Sequence, residues 1–267
     1  MTLPITRTLL LLSLLVTAAT TRAQTAEIVL LTQSLPPFSV TQGGKNFARD
    51  DGVRGVSTET LREVFRRAGV SYSITLRFPW ERLYQQALQQ AGHGLYSTVM
   101  SDARRNQFKW VGPIAHYDVV LVATADSTLA PASLEQVRGR RIGGYKFGGP
   151  SERLAAQGVQ TVDALSDSAN IRKLLDGEID LWATADPVWR QYAEQEGAKG
   201  LKVVLRLGTE PLYLALNKAT PDALVQRLQK AMDAVIAEGS AGCRDTPDLC
   251  YLVRERRNLA SAHPLPR

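Results

Sequence analysis

The apolar positions of the chain alternate between two rhythms. Residues 27–33 (EIVLLTQ) hold enough consecutive apolar side chains for a buried strand, and Pro36-Pro37 ends it. Val56, Leu61, Val64, Phe65 and Ala68 then recur near helical spacing, with Ser57 in position to cap the start and Gly69 to stop it. Residues 71–78 (SYSITLRF) alternate as a strand, Pro79 suits the first position of a helix, and Leu83, Ala87, Leu88 and Ala91 give that helix an apolar stripe. Strand, helix, strand, helix predicts a parallel sheet with helices on its faces.

The rhythm restarts after Pro113. Residues 117–124 (YDVVLVAT) are almost wholly apolar, followed by a strand at 141–145, a short helix at 151–156, a helix at 167–175, a strand at 179–184 and a helix at 187–196. Strands at 201–207 and 212–216 follow, and Leu224, Leu228, Ala231, Met232, Val235 and Ile236 form an amphipathic helix. There is no internal repeat and no low-complexity linker. Two α/β lobes connected by strands are expected, with a ligand cleft between them.

Composition narrows the setting. Arg7, the apolar run 9–16 and the small residues before position 24 read as a secretory signal over residues 1–23. The apolar run is shorter than the roughly 20 residues of a membrane span, and no second long run follows, so a soluble mature chain is expected. No cysteine stands at the cleavage point to carry a lipid. Loss of Arg7 and Arg22 lowers the formal charge from +6 to +4, with both signs interspersed. A nucleic-acid site wants a concentrated basic stripe with interleaved aromatics, so that class is set aside. Cys243 and Cys250 are the two cysteines, close together in GCRDTPDLC; an exported protein is expected to pair them, whereas zinc would want further soft ligands nearby.

The chemistry-bearing residues exclude more than they assign. His93, His116 and His263 have no metal-binding spacing. The run 143–151 (GGYKFGGPS) lies between a strand and a helix, but Tyr145 stands where a dinucleotide loop needs its second glycine and Pro150 where a phosphate loop needs lysine. What remains is either an anion-receiving helix start or a simple flexible loop. Asp176, Glu178 and Asp180 read as solvated carboxylates at a turn. Asp186 follows an apolar strand and precedes Pro187; it is either a cleft-facing acceptor for an ammonium group or the cap of the next helix. No cofactor is implied.

Several fragments, in order, resemble the family 3 bacterial extracellular solute-binding proteins, the periplasmic receptors of polar amino-acid ABC transporters. They are Pro36-Pro37-Phe38, Gly55-Val56-Ser57-Thr58-Glu59 with Ala68-Gly69-Val70, Trp80, Ser101-Asp102-Ala103-Arg104 with Phe108, residues 134–143 (LEQVRGRRIG) and residues 174–180 (LLDGEID). The resemblance implies a two-lobed α/β periplasmic-binding-protein fold of type II. Lobe one would comprise residues 26–117 with 212–240, lobe two residues 118–211, and the tail 241–267 would carry the disulfide.

It also implies roles. Arg104 would fork onto a ligand carboxylate, a bidentate contact lysine cannot reproduce. Ser101 would start the same helix, the Ser97 to Val99 backbone would receive an ammonium, Phe38 and Trp80 would wall the ligand, Asp186 would hold the ammonium from lobe two, and Ser151 would sit at the carboxylate-facing helix start. Two departures stand out: Ala91-Gly92-His93-Gly94 in place of the usual Gly-x-x-Asp, and residues 108–113 (FKWVGP) in place of Phe-Ser-x-Pro-Tyr. The expected function is periplasmic capture of an amino acid or similar small polar carboxylate, by a monomer, for an ABC permease or a membrane sensor. The alternatives are ligand sensing without transport, and an exported dehydratase-like enzyme on the same scaffold.

Overall fold

The structure is a computed structural model that describes residues 27–43 and 45–239. Residues 1–23, the tail from 241 and both cysteines lie outside the described residues.

The first half of the chain contains β1 (Ile28–Thr32), β2 (Val40–Thr41), β3 (Ala48–Arg49), β4 (Val53–Arg54), α1 (Val56–Ala68), β5 (Tyr72–Leu76), α2 (Trp80–Gln89), β6 (His93–Val99), the single turn α3 (Asp102–Arg105) and β7 (Phe108–Thr124). The second half contains β8 (Ile142–Tyr145), α4 (Gly149–Ala156), β9 (Val162–Ala164), α5 (Ala169–Leu175), β10 (Leu181–Asp186), α6 (Val188–Gln195), β11 (Leu201–Asn217) and α7 (Asp222–Ala237).

Gly69 closes α1 in the left-handed conformation, donating to Arg66 O and Phe65 O. Its start differs from the sequence expectation: Gly55, not Ser57, is the cap residue. The carbonyls of Pro37 and Phe38 accept the amides of Val56 (3.1 Å) and Ser57 (2.9 Å), so backbone oxygens satisfy the donors that a side-chain cap would take. Only glycine fits the junction, because Gly55 has φ 115° and a Cβ there would lie 2.6 Å from Phe38 O.

Nine strands form one sheet, in the order β3-β5-β1-β6-β11-β7-β10-β8-β9. Its spine is the antiparallel pair β7 and β11, in register from Phe108 opposite Asn217 to Thr124 opposite Leu201. The sequence suggests two short strands, 201–207 and 212–216, where the structure has one strand of 17 residues. Register shifts at Val203/Leu205, Arg206/Gly208 and Leu212/Leu214 let pairing continue across glycine and proline. β6 joins this spine at residues 212–216, while β10 joins it at residues 118–122.

The parallel strands β5, β1 and β6 therefore extend from one end of the spine, and β10, β8 and β9 from the other. Each set has apolar clusters on two sides. In the first half, one cluster holds Leu61 and Phe65 of α1 with Leu228 and Met232 of α7, and another holds Leu83 and Ala87 of α2 with Leu31 and Leu95. In the second half Leu154 of α4 joins Leu121 and Leu181, and Ile171 of α5 joins Trp182 and Trp189. Such burial on both faces explains why the strands read as apolar runs.

Candidate functional site

A cavity of about 60 Å³ lies where the two halves face each other. Thr32 and Gln33 at the end of β1, Ser97 to Val99 of β6, Tyr145 at the end of β8, and Ala183 and Ala185 of β10 all line it. These are the C-terminal ends of parallel strands, the position at which open α/β sheets bind ligands.

Arg104, the last residue but one of α3, reaches across this space while only 4% exposed. Its guanidinium donates to Thr98 Oγ1 (3.0 Å) within the first half and to Phe147 O (2.8 Å) and the Glu152 carboxylate of α4 in the second. Trp80 and Tyr84 stack near it, with ring centroids 5.8 and 5.4 Å from Cζ. Further contacts join the halves: Tyr145 Oη donates to Gln33 Oε1 (3.1 Å) and Tyr192 Oη to Ser34 O (3.1 Å). At Gly149 a Cβ would lie 2.2 Å from Tyr117 Oη and 3.0 Å from Val99 Cγ2. The halves thus meet at glycine because no side chain fits between them.

Asp167 is the carboxylate in the cavity wall. Trp182 Nε1 and Thr184 Oγ1 each donate to it at 2.8 Å. Burial outweighs these neutral donors and raises its pKa to about 6. The same donors explain why the helix expected from residue 167 starts at Ala169: the carboxylate is drawn to side chains of β10 instead.

Ser97 has a special backbone. Tyr96 and Thr98 oppose the consecutive residues Leu214 and Tyr213, so Ser97 is an extra residue, with φ 58° in the left-handed region. This bulge turns the strand end toward the cavity. Ser97 Oγ and Ser151 Oγ are both buried at the cavity with no hydrogen-bond partner among the described residues. Two polar atoms are thereby left to meet a ligand.

Of the residues singled out in the sequence, Trp80, Ser97, Val99, Arg104 and Ser151 line the cavity. Phe38, Ser101 and Asp186 do not. Phe38 is fully buried in the first-half core, 6.4 Å centroid to centroid from Tyr117. Ser101 caps α3 by position, but its hydroxyl makes no capping bond. Asp186 fails through strand alternation: Ala183 and Ala185 face the cavity, so the next residue points away. Its carboxylate accepts from Arg190 (2.9 Å) and Arg206 (3.1 Å). Burial opposes its ionisation, yet the two arginines prevail and hold its pKa below the usual carboxylate value. It does not cap α6, whose cap position is Pro187.

Sequence reading missed Asp167, Tyr117, Tyr145 and Tyr192, all in the cavity wall. Tyr145 appeared only as a misfit in a glycine loop. Asp167 has one signal in the chain, an acidic residue between serines just ahead of a helix, which surface caps share.

No family model and no curated protein matches the sequence. Solved structures do match. A histidine kinase sensor domain with similarity to periplasmic binding proteins superposes with TM-score 0.72 at 19% identity, over 88% of this chain and 97% of that one. The arginine-, lysine-, histidine-binding protein ArtJ from Geobacillus stearothermophilus gives 0.67 at 20%, over 80% and 91%. The GluR0 ligand-binding core from Nostoc punctiforme, in complex with L-glutamate, gives 0.65 at 15%, over 80% and 95%. At these identities the likeness carries the fold, and the chain has the two-lobed α/β fold of the periplasmic binding proteins.

Proposed function

We propose that the chain is an exported solute-binding protein that captures a small polar solute between two lobes and presents the closed form to a membrane partner. Lobe one is assigned residues 26–117 and 212–240, and lobe two residues 118–211, with hinge strands near 117–122 and 206–213. The pairing of β6 and β10 with separate ends of the β7–β11 spine supports that division. The observation that carries the reading is the cavity itself, lined from both sides and crossed by Arg104. A solute that contacts both walls is satisfied only when the lobes are closed, so binding favours closure.

The partner is an ABC permease in the transport version and a membrane sensor in the other. The amino-acid-binding structures support capture of a small polar solute, and the sensor domain of a histidine kinase supports the sensing version. No helix of the described residues is long and apolar enough to cross a membrane. The test is a thermal-shift screen of the purified protein against amino acids, amines and small carboxylates. A binder at one hundred times its dissociation constant stabilises by about 2.7 kcal/mol. Turnover of a stabilising compound would move the assignment to an enzyme.

A further inference from the structure

The charges around the cavity do not balance. Arg104 is matched by Glu152, and its remaining bonds go to Thr98 and the Phe147 carbonyl. An incoming carboxylate would have to compete with Glu152 for the guanidinium charge. The helix start opposite is also poorly equipped for an anion, because Pro150 in the first turn of α4 has no N–H to donate.

Asp167 has no such match. Its two oxygens accept from an indole and a hydroxyl, both neutral, and each keeps capacity for another donor. The aromatic residues Trp80, Tyr117, Tyr145 and Tyr192 line the same cavity, and aromatic rings attract cations over their faces. With the Arg104–Glu152 pair internally neutral, the wall presents one uncompensated negative charge among aromatic rings.

We infer that the ligand is a small organic cation, an amine or guanidinium compound that needs no carboxylate, and that Asp167 anchors its charged group. This rests on the solute-binding reading and narrows it. It also gives Arg104 a different job from the one its sequence context implies: through Glu152 it joins the two halves beside the ligand rather than holding it.

The experiment is titration calorimetry of the purified protein with agmatine, putrescine and choline as carboxylate-free cations, and with L-glutamate and glutarate as carboxylates. At least one of the three cations binds wild type, Asp167→Asn weakens that binding at least tenfold, and Arg105→Ala, at an exposed residue outside the cavity wall, retains it. Asp167→Glu keeps the charge but displaces it by one methylene, so it serves as the second variant if Asp167→Asn does not fold; it weakens the same cation severalfold.

Failure of all three cations to bind, or equal binding to the Asp167 variants, overturns the inference. Binding of glutarate or L-glutamate alone, abolished in Arg104→Ala, overturns it too but leaves the solute-binding reading in place. Absence of binding by either class counts against both.

Discussion

The guanidinium of Arg104 and the carboxylate of Glu152 join the two halves of the molecule beside the cavity, with the arginine almost fully buried and the glutamate partly so. Removing one member of such a pair leaves the other desolvated without its partner, which costs more than the pair is worth. Arg104→Ala is therefore expected to destabilise the protein by about 2 kcal/mol or more in urea denaturation. Arg105→Ala, whose exposed side chain lies 3.5 Å from a fully exposed Asp102, is expected to stay within about 0.5 kcal/mol of wild type.

The contact at Gly149 sets up a prediction about closure. Because a Cβ would overlap Tyr117 Oη, Gly149→Ala is expected to push the halves apart while leaving each half folded. Solution scattering should give a larger radius of gyration than wild type, and any ligand should bind more weakly. Unchanged scattering and affinity would mean that Tyr117 simply moves aside.

Asp186 should prove structural. Its partners Arg190 and Arg206 are half exposed, so solvent screening limits the pair energies to the range of surface ion pairs. Asp186→Asn is expected to cost about 1 kcal/mol or less in thermal denaturation, with no change in ligand affinity. A large loss of affinity would return Asp186 to the site.

Asp167 gives a pH dependence with a definite sign. Its folded pKa of about 6 exceeds the ordinary 3.8, so the folded state binds the proton more tightly than the unfolded state. The associated stability is present below about pH 4 and is lost as pH rises through about 6. The stability of Asp167→Asn relative to wild type should accordingly rise between those values, with the difference removing contributions from other carboxylates. Cation binding runs the other way, because the ligand favours the ionised carboxylate: affinity should increase from about pH 5 to about pH 7. The neighbouring phenols of Tyr117, Tyr145 and Tyr192 are pushed upward from 10 and stay neutral throughout.

The legibility of the sequence followed the range of the interactions. Helix α1 and its glycine stop were readable because apolar spacing and a left-handed cap are local features. The continuity of β11 was not, since Gly208 and Pro211 are local break signals that only long-range pairing with β7 overrides. At the site, Arg104 stood out by its place after Ser101 and before Phe108. Its partner Glu152, 48 residues away, did not. Asp186 lies one residue beyond Ala185 of the cavity wall, a difference of strand alternation, and nothing near Asp167 in sequence reveals that β10 supplies its donors.

Solute capture in this reading depends on closure of two lobes. Small-angle scattering of the purified protein, with and without a saturating compound from the thermal-shift screen, tests it most directly. A smaller radius of gyration is expected with the compound than without it. An unchanged radius under saturation, with stabilisation still present, would contradict capture by closure.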